Sequence, residues 1–465
     1  MSKIPEERIQ RLNLQPENLK GKYVLYWMDA SMRQKNNSAL EYAIELGMQY
    51  KRGVIVLYCL HTKGRLSSRR RARFALESLR ELEKSLAARG IQLAVVYGTA
   101  QELVPSFCVS ACALVMDCAY LREDRIFRNE IARNVSCACI QVEDNVVVPV
   151  ETVSSHADYS AKSFRPKLAA NLNRFLTLPD RNVPPVSTLN VNLMKLDLSD
   201  FDQIENQLTF PYDVAPAADF PGGETAADKR WRRFLKYCLA RYDQRKNPAA
   251  GVTSALGPYL SFGCISPVEI MIRLREILKD DYLINCSDEQ RELLPMNIAA
   301  FEDEILTRRE LAINFVWYTP LYDTFEGLPR WAQKTLELRS VDDRDYIFSF
   351  SEMKSGNTCD CYWNLTQLEL VKNGWLPPHT RMYWGKQPLL WTREPAEAFR
   401  YALRLNNIYQ LDGFSPGGFA GVSWCYGLHD FPFHARPIWG YIRPMTRHPK
   451  LPIDELDCLS VKPRD

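Results

Sequence analysis

The chain has 465 residues, 46% of them hydrophobic, which is enough to bury more than one core and makes two domains the expectation. A net charge of +3 and a pI near 8.1 exclude binding of nucleic acid through bulk charge, while leaving room for a local basic patch. The 13 cysteines are odd in number, and the CxC pairs Cys137–Cys139 and Cys359–Cys361 have no partner pair at zinc spacing; buried free thiols in a reducing compartment are expected instead of a metal or disulfide scaffold.

The opening MSKIPEERIQ is polar and lacks a secretory h-region, and no apolar run is long enough to span a bilayer, so an intracellular (cytoplasmic or nucleoid) protein is expected. Apolar runs at 22–28, 53–60, 92–98 and 113–119 alternate with the helical patterns NNSALEYAIELGMQY, SRRRARFALESLRELEKSLAARG and TAQELVPSF. This alternation predicts a Rossmann-like α/β domain over 1–150, with a parallel sheet wound by helices on both faces. No GxGxxG follows the first strand, so the ordinary dinucleotide fingerprint is absent. Residues 151–220, rich in Pro, Asn and Gly, read as an inter-domain connection. From 221 to 465 strand-like alternation nearly disappears and an all-α domain is predicted.

Three features of the helical part point toward chemistry. The turn GVTSALGPYLSFGCIS (251–266) offers Thr253 and Ser254 ahead of a new element at Gly257-Pro258; such a turn either cradles a pyrophosphate or is simply a capped loop. In FEDEILTRRELAINF an α-helix would set Glu304, Arg308 and Leu311 on one face, as a surface ion pair or as an acid in an apolar pocket. Tryptophan is concentrated: only Trp27 and Trp231 precede residue 300. Trp384 and Trp391 stand at i, i+7 with Pro388 between them, which is expected to kink or end the helix. Core packing and electron relay both remain open for these rings.

Taken in order, Tyr242, Thr253-Ser254 through Gly263, Glu304-Ile-Leu-Thr-Arg-Arg-Glu-Leu, Tyr-Trp363-Asn, Arg381-Met-Tyr-Trp384, Leu411-Asp-Gly413 and Gly421-Val-Ser-Trp424 resemble the class II branch of the DNA photolyases. The opening GKYVLYWMDASMRQKNNSALEYAI and VEDNVVVPVE followed by FRPKL are similar to that branch as well, so the resemblance covers most of the chain. It implies a photolyase/cryptochrome fold, with flavin adenine dinucleotide (FAD) bent in the helical domain and blue or near-UV light driving an electron from reduced flavin into a flipped-out cyclobutane pyrimidine dimer.

By the same resemblance Tyr242, Thr253, Ser254 and Leu256 belong to the flavin loop, Arg381 and Asp412 pack against the isoalloxazine, and Asn406 lies near flavin N5, although a helix C-terminal cap is its bland alternative. Glu304 is implied to hydrogen-bond the dimer carbonyls, and Met382 and Trp424 to line the lesion pocket. Trp384, Trp363 and Trp391 are implied to re-reduce the flavin, in the order proximal, relay and outer site. Arg308, Arg309, Lys386, Arg436 and Arg443 are candidates for flavin support or phosphate contact.

The chain departs from the family pattern in Gly374-Trp-Leu-Pro-Pro-His-Thr380, at Ser261, and in His429-Asp430-Phe431-Pro432-Phe433, where Phe433 would wedge into the duplex. These departures touch the DNA face and keep a cryptochrome-like photoreceptor without repair activity, or a flavoprotein working in the dark, as alternatives. The expected partner is UV-damaged DNA, with no metal, no membrane, no obligate protein partner and a monomeric state. A deazaflavin or folate antenna is a candidate for the α/β domain.

Overall fold

The computed structural model describes residues 3–277 and 287–445. Six strands, β1 (Ile9–Arg11), β2 (Tyr23–Trp27), β3 (Gly53–Leu60), β4 (Gln92–Tyr97), β5 (Ala111–Asp117) and β6 (Ala138–Val142), form one sheet in the order β1-β6-β5-β2-β3-β4. All pairings are parallel except that of β1 with β6. Every residue of β2, β3, β5 and β6 is buried, as strands covered on both faces require. The helices α1 (Ser38–Tyr50), α2 (Arg69–Ala87), α3 (Ala100–Cys108) and α4 (Arg122–Asn134) provide that cover. Side chains of Asn37 and Ser68 cap α1 and α2.

The four strands read from apolar runs are all present. The other two escape that reading: β1 is a three-residue edge, and β6, ACIQV, alternates Ile140 and Val142 with small or polar residues and so makes no continuous apolar run. Helix α4 was also missed, because its only apolar residues are Ile126, Phe127, Ile131 and Ala132, which make a weak stripe. Cys359 and Cys361 are exposed, contrary to the expectation for thiols; the other described cysteines are buried and none forms a disulfide.

Within 151–220, α5 (Val150–Val153), α6 (Ala161–Phe175) and α7 (Phe201–Asn206) interrupt an otherwise irregular path. Helical structure then dominates: α8 (Glu224–Tyr237), α9 (Gly257–Ser261), α10 (Pro267–Glu276), α11 (Asp288–Glu302) and α12 (Arg309–Tyr318) come first. They are followed by α13 (Arg330–Leu338), α14 (Phe350–Lys354), α15 (Cys361–Asn373), α16 (Pro378–Lys386), α17 (Pro395–Tyr409) and α18 (Pro416–Cys425). One apolar core runs without a break from the sheet through α1 and α2 into α8 to α11, so the two parts share buried surface. Gly263 (φ +69°) shows how close they come: a Cβ there would collide with the Ala30 carbonyl oxygen.

The chain winds from β2 toward β4 on one side and from β5 toward β6 on the other, so the crevice between the carboxyl ends of β2 and β5 is the switch point where such sheets bind ligands. Asp117, the last residue of β5, accepts the N–H groups of Asp29, Ala30 and Ser31 at 2.9, 2.8 and 3.0 Å and fixes the turn after β2 over that crevice.

Candidate active site

A cavity of about 760 Å³ opens where this crevice faces the helices. Trp27, Asp29, His61, Arg65 and Arg128 line its α/β end; Gly257, Glu304, Arg308, Asp412, Phe414 and Trp424 line its helical end. The volume lies within the range of small-molecule and cofactor pockets.

Between α11 and α12 the helix does not keep its α period. Asp303–Arg308 is a π turn, the kind of local widening found mostly at functional sites. Glu304 and Arg308 consequently do not pair, correcting the i, i+4 expectation. Arg308 Nε instead meets Asp303 Oδ2, five residues earlier, at 3.1 Å, and its guanidinium lies 4.9 Å from the centre of the Trp424 ring. Glu304 is released to accept from the Tyr242 hydroxyl and from Arg245 Nε at 3.0 Å. Burial raises the Glu304 carboxyl above its usual range, opposed by these two partners. Tyr242, pushed up by burial and by Glu304, stays a neutral donor.

A second group sits under the same cavity. Arg381 Nη1 holds both Asp412 oxygens, at 2.9 and 3.1 Å, and its Nη2 donates to Asn406 Oδ1 at 2.6 Å. Asn406 is fully buried within α17, and its amide donates to the Gly413 carbonyl at 3.3 Å. It is not a cap, since Gln410 closes that helix. Space is tight here: a Cβ on Gly257 would come within 2.7 Å of Asp412 Oδ2, and one on Gly413 within 2.7 Å of the Asn406 carbonyl oxygen.

Helix α16 ends at Lys386, before Pro388, as expected. The tryptophans meet despite the break. Trp363 lies parallel to Trp384, with ring centres 6.3 Å apart and 4° between planes, and edge-on to Trp391 at 5.2 Å. All three are buried, and indole hydrogen bonds fix their orientation: Trp363 Nε1 to the Trp384 carbonyl and Trp384 Nε1 to Gln367 Oε1, both 2.9 Å. Trp363 is therefore the middle ring of a continuous run.

Comparison with known proteins places the chain in a family. The profile of the DNA photolyase family matches residues 24–187. A deoxyribodipyrimidine photo-lyase of Methanothermobacter thermautotrophicus is 38% identical over 449 residues, covering 95% of each chain. The chain belongs to the DNA photolyase family. Photo-lyases of Arabidopsis thaliana (32% identical, covering 91% of this chain and 85% of the relative) and Potorous tridactylus (30%, 91% and 77%) agree. Cryptochrome-2 of Gallus gallus matches only 55% of the chain, at 26% identity. Among solved structures, a class III photolyase from Agrobacterium tumefaciens has a TM-score of 0.67 at 20% identity, covering 90% of this chain and 83% of its own. A Sulfolobus tokodaii photolyase with two FAD molecules has 0.64 at 16%, covering 87% and 82%. These likenesses establish the photolyase/cryptochrome fold: a mostly parallel sheet followed by a largely helical part.

In this photolyase-family chain the residues singled out from sequence do not all share one surface. Glu304, Arg308, Asp412 and Trp424 line the cavity; Tyr242, Arg381 and Asn406 act on it through those residues. Thr253 and Ser254 are half-buried, the Ser254 hydroxyl accepts the Leu256 N–H at 3.4 Å, and Leu256 is a core residue. Met382 is half-buried on α16.

Of the candidates for flavin support or phosphate contact, Arg309 is half-buried and lines the cavity, its Nη2 donating to the Asn145 carbonyl at 2.6 Å, whereas Lys386 is buried, its Nζ donating to the carbonyls of Cys425 and Arg443 at 2.8 and 3.0 Å. Arg436 is exposed, and Phe433 stacks on the exposed Phe431 with ring centres 4.9 Å apart. His429 (φ +58°) places its ring edge-on to Trp424 at 5.8 Å, and burial pushes its pKa down to about 4. Arg245, Asp303 and His429 are site residues that sequence alone did not supply with roles; only the short spacing of Asp303 to Arg308 was within reach of a pattern.

Proposed function

We propose that this protein splits cyclobutane pyrimidine dimers in UV-damaged DNA, using light and a bound FAD. The observation that carries the proposal is that Glu304, Trp424 and Asp412 line one cavity while a run of three buried tryptophans in ring contact starts from Trp384 on the Arg381 helix. The cavity's volume and its mixed charged and aromatic wall fit a large cofactor, and Arg381, Asp412 and Asn406, packed closely enough that Gly257 and Gly413 leave no room for a Cβ, would hold it. When bound, the flavin supplies light-driven one-electron chemistry.

The chain's own residues do the rest. Arg381, paired with Asp412 and holding the Asn406 amide in place, would offer that cofactor a charged and hydrogen-bonding edge. Glu304, oriented by Tyr242 and Arg245, would hydrogen-bond a carbonyl oxygen of the extruded dimer, where negative charge develops, and burial, which raises its carboxyl, favours the donating form. Trp424, with Arg308 over its ring, offers an aromatic face to a flipped pyrimidine. Trp384, Trp363 and Trp391 carry an electron inward from the direction of Trp391. The α/β end of the cavity, at the switch point, would receive an antenna chromophore of deazaflavin or folate type.

A cryptochrome-like photoreceptor is the second reading, favoured by the exposed Phe431–Phe433 stack in the segment expected to meet DNA. The relatives weigh against it, since the photo-lyases match nearly the whole chain and the cryptochrome about half. Illumination of reduced protein with a thymine-dimer oligonucleotide decides between them. Light-dependent recovery of thymine absorbance is expected; a flavin that photoreduces but restores no thymine would transfer the assignment to the photoreceptor.

A further inference from the structure

We infer that Arg71, a residue of the α/β part, is an electrostatic positioning residue of the flavin pocket that biases a bound flavin toward its anionic reduced form. The inference rests on the assignment of the helical cavity to flavin.

Helix α2 begins Arg69-Arg70-Arg71, with no acidic residue in its first turn. A helix N-terminus is where cations are least favoured, so α2 itself gives no reason for three of them. Arg70 and Arg71 are also buried, at 1% and 0% exposure. Their reason lies across the interface, where two helices end. Arg70 Nη1 donates to the carbonyls of Leu370 (3.1 Å) and Tyr409 (2.9 Å), and its Nη2 to that of Lys372 at 3.2 Å. Arg71 Nη1 donates to the carbonyls of Asn407 (2.6 Å) and Gln410 (3.1 Å), and its Nη2 to Ser67 Oγ at 2.9 Å. The two guanidiniums thus cap the negative ends of α15 and α17.

Carbonyls satisfy the donors without cancelling the charge. Among the described residues neither guanidinium has a carboxylate within ion-pair distance, and Arg71, which burial pushes down to about 9, is still charged at neutral pH. That charge stands directly behind the cavity wall. The Arg71 guanidinium lies 5.1 Å from the centre of the Phe414 ring; Phe414, Asn407 and Asp412 are all wall residues, and Asp412 is the carboxylate bound by Arg381. In a dry interior a charge acts over such distances far more than in water. It shifts an equilibrium only by favouring one state over the other, and reduced flavin at neutral pH carries a negative charge that the oxidised form lacks. Arg70 faces the outer turns of α15 and touches no wall residue through the bonds given above, so it is the internal control.

The test is a spectroelectrochemical titration of the bound flavin in the full-length protein and in Arg71→Met, Arg71→Lys and Arg70→Met. Arg71→Met is expected to shift the balance about tenfold toward oxidised flavin, about 30 mV for the two-electron couple between oxidised and anionic reduced flavin. Arg71→Lys should recover most of that shift, and Arg70→Met should move the potential less than Arg71→Met. If the Met variant does not fold, Arg71→Gln, which keeps donors but no charge, takes its place with the same expectation. Wild-type potential in the uncharged variant, or equal shifts in Met and Lys, would overturn the electrostatic role. A wild-type protein that takes up no flavin would instead overturn the cavity assignment, and the inference with it.

Discussion

The Arg381–Asp412–Asn406 group and the 429–436 segment border the same end of the molecule and are built on opposite terms. In the first, every polar group named is hydrogen-bonded, the glycines leave no spare volume, and the side chains sit on helices. In the second, Phe431 is 64% exposed, Phe433 stacks on it with Arg443 against its ring, and the segment begins at His429, a residue at φ +58°. A buried hydrogen-bonded group tolerates little change because each partner lost strands another. An exposed loop tolerates much. The family resemblance accordingly holds at Arg381, Asn406 and Asp412 themselves and frays at Phe431–Phe433, as it does in the run Gly374–Thr380 that leads into α16.

The largest expected effect lies on the rigid side. Asp412→Ala leaves Arg381 without its carboxylate and should cost roughly 2–4 kcal/mol, reduced from the fully buried case by partial exposure, with flavin content lost in parallel. Urea unfolding together with flavin absorbance measures both; full stability would break the contrast. Glu304→Ala should leave flavin bound but lower the repair rate about 10²-fold, as loss of one donor to a developing oxyanion does. Undiminished single-turnover repair would remove Glu304 from the chemistry.

On the mobile-sequence side effects should be smaller. Arg436→Glu should weaken DNA binding equally across sequences and flatten the salt dependence by about one unit of slope, with flavin photoreduction untouched. Between the two regions stands His429. Its folded pKa of about 4 lies below the unfolded value of about 6.5, so the unfolded state takes up the proton first. Stability is therefore expected to fall as pH drops from about 6.5 toward 4, by at most about 3 kcal/mol before solvent screening, and His429→Gln should flatten that stretch of the profile.

The same contrast explains what the sequence disclosed. Strands β2 to β5 were visible because parallel strands buried on both faces write themselves as continuous apolar runs. Pro388 announced the end of α16. The residues of the candidate site were legible only as an ordered set resembling a family, because Tyr242 and Glu304, 62 positions apart, carry no local sign of their contact. The π turn at Asp303–Arg308 could not be read at all: a single added residue per turn leaves the apolar pattern of FEDEILTRRELAINF looking α-helical. Arg70 and Arg71 were likewise invisible, since their partners across the interface are backbone carbonyls 300 or more residues away.

The central claim is that one cavity serves two electron routes, outward to the lesion and inward through the tryptophans. Trp384→Phe tests it most directly, assayed in one preparation for photoreduction of oxidised flavin and, after chemical reduction, for light-driven dimer repair. Photoreduction should be lost with repair retained, because Trp384 adjoins Trp363 and not the Glu304 face of the cavity. Loss of both with flavin still bound would contradict the two-route account and leave Trp384 as part of the packing alone.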